Sequence, residues 1–304
     1  MIEIKNLNKS FGSKHVIKNM NLKLEKGTIF GLIGINGAGK STLLRLLSGV
    51  LNPDSGEIFV DEKLINEESK KKIFYLSDNP PYTSLTKLVD IKELYETFYD
   101  FDNQIFEEII EIFKLPINEP ISKFSKGMRR QGYIALAFAT KASYLLFDEV
   151  FDGLDPQARL KFKQFMINNI NSEQIIIITS HSLRELEDIC DTFGMIDGGY
   201  FKRYGQIDFE LNKLKKYQIV LKELEKDVFI KQLKCLFKKQ EGRVLTIITE
   251  ELTEDINNYL DKNNYLVIDE LSISFEEYFI VTQEENKKWK NILNIYLKQI
   301  SSKQ

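Results

Sequence analysis

Apolar and polar positions alternate along the first segments of the chain. "MIEIKNL" and "HVIKNMNLKL" carry the two-residue period of strands with one buried face, joined around "GSK" as a hairpin. "TIFGLIG" is apolar almost throughout, as a strand covered on both faces must be. The period then changes: "KSTLLRLLSGV" places its leucines at helical spacing and predicts a helix capped near Gly49. From about residue 86 to 142 the pattern stays mostly helical, with "DIKELYETFYD" and "NQIFEEIIEIFKL" clearly amphipathic. Strand character returns at "SYLLFDE" and "EQIIIITSH", on either side of a helix over 156–170.

Strands this apolar, alternating with helices, predict an α/β fold on a mainly parallel sheet, with the helical block over about 86–142 inserted as a subdomain. After "IDGGYFKRYGQ" the texture changes. "YQIVLK", "RVLTIIT" and "YLVIDELSI" read as strands, "EKDVFIKQLKCLF" and "TEDINNYLDKN" as helices. A first domain over 1–207 and a small α+β domain over 208–282 are the expected organisation. The last stretch, 283–304, predicts an amphipathic helix with Trp289, Leu293, Tyr296 and Ile300 on one face. Such a stripe pairs with a partner, lies on a membrane assisted by Lys287, Lys288, Lys290 and Lys298, or, more often, packs on its own domain.

The chain has 304 residues, 43% hydrophobic and 29% charged, an ordinary globular balance with room for one large and one smaller domain. Its formal charge of -3 argues against a nucleic-acid partner, whose basic footprint would show in the total. Cys190 and Cys235 stand apart, without the spacing of a metal site or disulfide framework. The N-terminus lacks the apolar core of a secretion signal, and no run nears the roughly 20 apolar residues of a membrane span. A cytoplasmic chain is expected, reaching a membrane only through another polypeptide.

The chemistry concentrates in "GLIGINGAGKST". Gly34, Asn36, Gly37, Ala38, Gly39, Lys40 and Ser41 fit G-x-x-x-x-G-K-[ST] between a strand and a helix, with Thr42 following. Glycines let successive backbone N–H groups turn inward around phosphates, and the helix adds its positive end. Lys40 is then placed for the outer phosphates and Ser41 for Mg²⁺. "YLLFDE" ends a strand in two acids: Asp148 suits the metal and Glu149 a general base for water. No N-K-x-D sequence for guanine appears, and a glutamate base for water favours hydrolysis over transfer to a small molecule.

With these motifs in place, roughly residues 1–205 resemble the nucleotide-binding subunit of an ABC ATPase. "KSFGSK" offers Phe11 where that family stacks an aromatic on adenine; a core aromatic of the hairpin is the alternative. "FSKGMRRQ" matches the signature loop with Ser125, Lys126, Gly127 and Met128. "FDGLDP" matches the following loop with Asp155, and "ITSHS" places His181 at the switch position on the γ-phosphate. The resemblance implies ATP and Mg²⁺ as ligands. It also implies a head-to-tail pair of ATPase subunits, each signature loop facing the partner's ATP and Asp155 in the interface, and a separate transmembrane permease.

Three departures stand out. Asp78 replaces a glutamine that reaches Mg²⁺, so its approach to the metal runs through water. Lys126 and Met128 replace glycine and glutamine, and Val150 replaces a proline. "SKGM" resembles bacterial exporters with separate chains, including those handling antibiotics and peptide toxins, and "LSISFEEYFI" is similar to the L-E-D-x-F end of such subunits. The implied function is the ATP-hydrolysing subunit of an exporter, with 78–85 and the helical block as coupling surface. The rival is a soluble ABC ATPase acting as a clamp or regulator on ribosomes or DNA. The single cassette, the lack of a long insertion and the acidic balance speak against it.

Overall fold

The computed structural model describes residues 1–180, 182–222, 235–250 and 265–282, and the chain divides into two units, Met1–Gln206 and Ile207–Gln304. The first unit runs β1 (Ile2–Phe11), β2 (Lys14–Leu24), β3 (Thr28–Ile33), α1 (Lys40–Leu47), β4 (Ser55–Val60), β5 (Lys63–Leu64), α2 (Glu67–Lys70) and β6 (Ile73–Leu76). It continues with α3 (Leu88–Glu96), α4 (Asn103–Phe113), α5 (Lys126–Ala139), β7 (Tyr144–Phe147), α6 (Pro156–Asn169), β8 (Ile175–Thr179), α7 (Leu183–Glu187), β9 (Thr192–Asp197) and β10 (Tyr200–Gln206).

The predicted N-terminal hairpin forms one side of an antiparallel sheet of order β2-β1-β4-β5, with β2 at the edge and β1 paired on its other side with β4. The second sheet has order β10-β9-β3-β8-β7-β6, parallel except for the edge strand β10. Parallel strands end on the same side, so the loops after β3, β6, β7 and β8 converge along one sheet edge, where such folds bind ligands. β3 lies between β8 and β9 with five of its six residues buried, which accounts for its unbroken apolar run.

Leu43 and Leu47 of α1 are fully buried in one apolar cluster with Ile4 and Met20 of the hairpin and Phe30 and Leu146 of the parallel sheet. Each such side chain contributes about 1.5–3 kcal/mol, so α1 and the loop before it are pinned from beneath. In a second aromatic group, Phe138 of α5 meets Phe147 of β7 at 6.1 Å and Phe165 of α6 at 5.1 Å between ring centroids. These rings tie the helix that follows the signature loop to the strand that ends in Asp148.

The second unit holds α8 (Ile207–Asn212), β11 (Lys215–Leu221), β12 (Phe237–Glu241), β13 (Val244–Thr249), β14 (Tyr265–Leu271) and α9 (Phe275–Thr282). Its strands form an antiparallel sheet of order β12-β13-β11-β14, with Ile219, Leu221, Leu245 and Ile247 as its core. The helix predicted over 225–237 is overturned at its end, because Phe237 opens β12 and pairs with Ile248. Residues 225–234 of that prediction, the helix at 253–263 and the terminal helix at 283–304 lie outside the described residues.

Sequence patterning also passes over the β4–β5 turn, since Asp61 and Glu62 take positive φ (50° and 64°) with no glycine to signal it. No helix among the described residues is long and apolar enough to cross a membrane.

Candidate functional site

The loop after β3 enters α1 through Gly39, the residue before its first turn, at φ 113°. A Cβ there would lie 3.0 Å from Ile17 Cδ1 and 3.1 Å from the Val16 carbonyl, so both conformation and space demand glycine. Gly34 and Ile35 are half-buried, Asn36 and Gly37 are exposed, and Ala38 is buried. Lys40 is 6% exposed; its ammonium donates to the Gly34 carbonyl at 2.7 Å and lies 3.7 Å from Glu149 Oε1. Burial pushes its pKa down while Glu149 and Asp148 oppose that shift, and the net displacement is downward. Thr42 lies half-buried on the same turn of α1 as Ser41.

Asp148 and Glu149 leave the end of β7 into the same space. Asp148 is 2% exposed, and its Oδ1 accepts from Ser41 Oγ at 3.1 Å and from Thr179 Oγ1 at 2.9 Å. Tyr75 OH lies 3.5 Å from Oδ2. Glu149 sits at φ 52°, in the left-handed region that costs a side-chain-bearing residue strain. Its backbone N–H donates to the same Thr179 hydroxyl at 2.8 Å. One buried threonine therefore fixes both acids: it anchors the Asp148 carboxylate and holds the turn that aims Glu149.

Ser41 and Asp148 offer a hydroxyl and a carboxylate, oxygen donors of the kind a hard divalent cation takes. Among the described residues no group of three or more His, Cys, Asp or Glu is placed to hold a metal. Two protein ligands are what Mg²⁺ needs when phosphates and water complete its shell, so the residues present fit it.

Phe11 stands half-exposed at the hairpin end, with Lys9 Nζ 5.7 Å from its ring centre, so it is not a core aromatic. Ser125 caps α5, its Oγ accepting from the Met128 N–H at 3.1 Å. Lys126 is exposed and ion-paired with Asp152. A Cβ on Gly127 would fall 2.5 Å from the Gly153 carbonyl, so the signature loop packs directly on the 152–155 loop of the same chain. Asp155 is exposed and caps α6, accepting from the Ala158 N–H at 2.9 Å.

At the end of β8, Ser180 Oγ donates to Glu185 at 2.6 Å, and Glu185 in turn pairs with Arg159. His181 lies outside the described residues. Asp78, after β6, has its carboxylate on the Arg130 guanidinium at 3.0 Å and on Asn79 at 2.8 Å. Beside it a groove of about 200 Å³ is lined by Asn79, Pro80, Tyr82, Arg129 and Tyr133.

The structure thus brings Lys40, Ser41, Asp148 and Glu149 together and sets Ser125–Met128 against Asp152 and Gly153. Thr179 and Arg130 were missed from sequence. The one signal for Thr179 was a lone hydroxyl closing "IIIIT"; for Arg130, a cation leading into the apolar run "YIALAFA".

The family model for ABC transporters matches residues 17–152. Over 295 residues the chain is 30% identical to the ABC transporter ATP-binding protein YtrB of Bacillus subtilis (strain 168), spanning 95% of this chain and 100% of that one. The chain belongs to the ABC transporter ATP-binding proteins. It is 30% identical to the methionine import ATP-binding protein MetN of Clostridium acetobutylicum, over 84% of this chain and 87% of that one. It is 33% identical to the linearmycin resistance ATP-binding protein LnrL of Bacillus subtilis (strain 168), over 66% and 67%. As an ABC transporter ATP-binding subunit, the chain binds and hydrolyses ATP, and subunits of this kind work in pairs with a transmembrane permease.

Proposed function

We propose that the chain powers an exporter, with hydrolysis carried out between Lys40 of one subunit and the signature loop of a second. The observation that carries the hydrolytic part is the Thr179 hydroxyl, which holds Asp148 and Glu149 side by side opposite the buried Lys40 ammonium. Lys40 and the N–H groups of Gly37–Gly39 bind the outer phosphates, and Phe11 stacks on the base. Ser41 and Asp148 hold Mg²⁺, which supplies positive charge against the phosphate oxygens. Glu149 accepts a proton from the attacking water. His181 contacts the γ-phosphate, and Asp155 belongs to the subunit interface.

The exposed Ser125 cap and the N-terminal end of α5 face the partner's nucleotide, where an anion is favoured. The loop over 78–85, the groove beside it and the helical block form the surface for a separate permease. Export rather than import is supported by the "SKGM" signature and by likeness to a resistance protein; the likeness to a methionine importer points the other way. Purification of tagged Glu149→Gln protein with ATP in mild detergent, followed by mass spectrometry, tests the proposal. A multi-helix membrane protein in stoichiometric amount is the expected result. An importer permease overturns export, and ribosomes, DNA-bound proteins or no partner overturns the transporter pairing.

A further inference from the structure

Arg130 is 3% exposed, five positions past the Ser125 cap on α5, and its guanidinium leaves the helix for the loop after β6. Nη1 donates to the Ser77 carbonyl at 3.0 Å; Nη2 donates to the Asp78 carbonyl at 2.8 Å and to Asp78 Oδ1 at 3.0 Å. A planar fork of five donors spans two consecutive carbonyls and a carboxylate in a way a single ammonium does not. A buried cation is costly unless paired, and Asp78 supplies the pairing charge. Burial pushes the guanidinium's pKa down, and the carboxylates of Asp78, Asp152 and Asp148 oppose that shift. At the start of α5, Arg129 donates to the Phe124 carbonyl at 2.6 Å and holds the capped end in place.

The structure assigns Arg130 as a positioning residue that fastens the Ser77–Asn79 loop to the signature helix, with Asp78 serving as its anchor rather than as a metal ligand. The loop after β6 therefore travels with α5. Any displacement of the signature end, which rests on the proposed pairing around ATP, is handed to the loop proposed to face the permease. The aspartate at 78, in place of an amide, gives the fork a charged partner.

Hydrogen–deuterium exchange on the full chain tests this, using Arg130→Met, Arg130→Lys and Asp78→Asn. Without nucleotide, R130M is expected to speed exchange of the 77–82 amides that carry a hydrogen, those of Ser77, Asp78, Asn79 and Tyr82, at least tenfold while amides of β11 and β13 stay within twofold. R130K, which keeps charge but loses the fork, is expected to fall between. In the Glu149→Gln background with MgATP, protection is expected at both 125–128 and 77–82. Adding R130K keeps the first and loses the second, a split that mere destabilisation does not produce. D78N is expected to change the ratio of ATP affinities with and without Mg²⁺ less than twofold.

Unchanged exchange at 77–82 in both Arg130 variants overturns the assignment, and so does a tenfold loss of the Mg²⁺-dependent affinity in D78N. If MgATP gives no protection at 125–128 even with Arg130 intact, the pairing in Proposed function fails instead, and the nucleotide-free exchange still decides the fastening.

Discussion

Replacing Thr179 by valine removes one hydroxyl and leaves the volume nearly unchanged, so no cavity forms. In the folded chain that hydroxyl donates to the Asp148 carboxylate at 2.9 Å and accepts from the Glu149 N–H at 2.8 Å, and its residue is fully buried. A hydrogen bond to a charged group is worth about 1.5–3 kcal/mol, and a stranded buried N–H costs about 1–3 kcal/mol. The two losses share one atom, which sets the expected destabilisation at about 3 kcal/mol. For a unit of this size that is a fall in Tm of about 6–12 °C. Thr179→Ser keeps both bonds and gives up one methyl, about 1 kcal/mol.

Thermal melting by circular dichroism reads the stability, and steady-state ATPase rates read the chemistry. Glu149 loses the anchor that holds its turn at positive φ, so kcat in T179V is expected to fall about 100-fold, with KM for ATP moving less than threefold. The reasoning fails if T179V melts within 2 °C of the parent with kcat intact. It also fails if the serine variant loses as much as the valine, since packing and not the hydroxyl would then be responsible.

Glu149→Gln is expected to lower kcat by about 10²–10⁴-fold, the usual worth of a general base, while ATP binding measured by calorimetry persists and light scattering shows an ATP-dependent dimer. Phe11→Ala should weaken ATP binding about 3–10-fold, as loss of one ring contact does, and Phe11→Trp should restore it in a fluorescent-nucleotide titration. Burial pushes the Asp61 carboxyl up, but hydrogen bonds from Lys72 and Tyr144 outweigh it and hold its pKa well below the usual range. A lowered pKa means stability that is present above the unfolded value of about 4 and lost as pH falls toward the folded one. Asp61→Asn is therefore expected to cost about 1–2 kcal/mol at pH 7, allowing for partial exposure. The gap from the parent should close below about pH 4 in urea titrations.

The strands and helices that carry the site were legible in sequence where one physical rule dominated. β3 and β8 are buried on both faces and read as unbroken apolar runs; α1 follows a phosphate-loop pattern whose glycines have a steric cause at Gly39. The pair Asp148–Glu149 was visible because two acids closing a buried strand need a reason. Thr179 was not, because its value lies in two partners 30 and 31 positions away that only folding supplies. Arg130 was hidden likewise, since a helical arginine looks solvated until the loop at 77–78 is laid against it. Asp78 was read through the family's glutamine and assigned to the metal side, whereas its carboxylate is engaged by a guanidinium. β12 was lost because "FKKQE" offers little hydrophobic contrast, and its strand state comes from pairing with β13.

The turn from Asp148 to Asp155 places the proposed metal acid, the proposed base at positive φ, a glycine against Gly127 and the cap of α6 on one short unbroken stretch. Chain length there is as constrained as chemistry. A single-residue insertion would rotate Asp155 off its cap and withdraw Gly153 from Gly127, so the proposed base and the proposed subunit contact would be displaced in one mutational step. In a library of insertions across the first unit, this stretch is the expected gap. Lineages that diverge in cargo are thereby obliged to do so elsewhere in the chain.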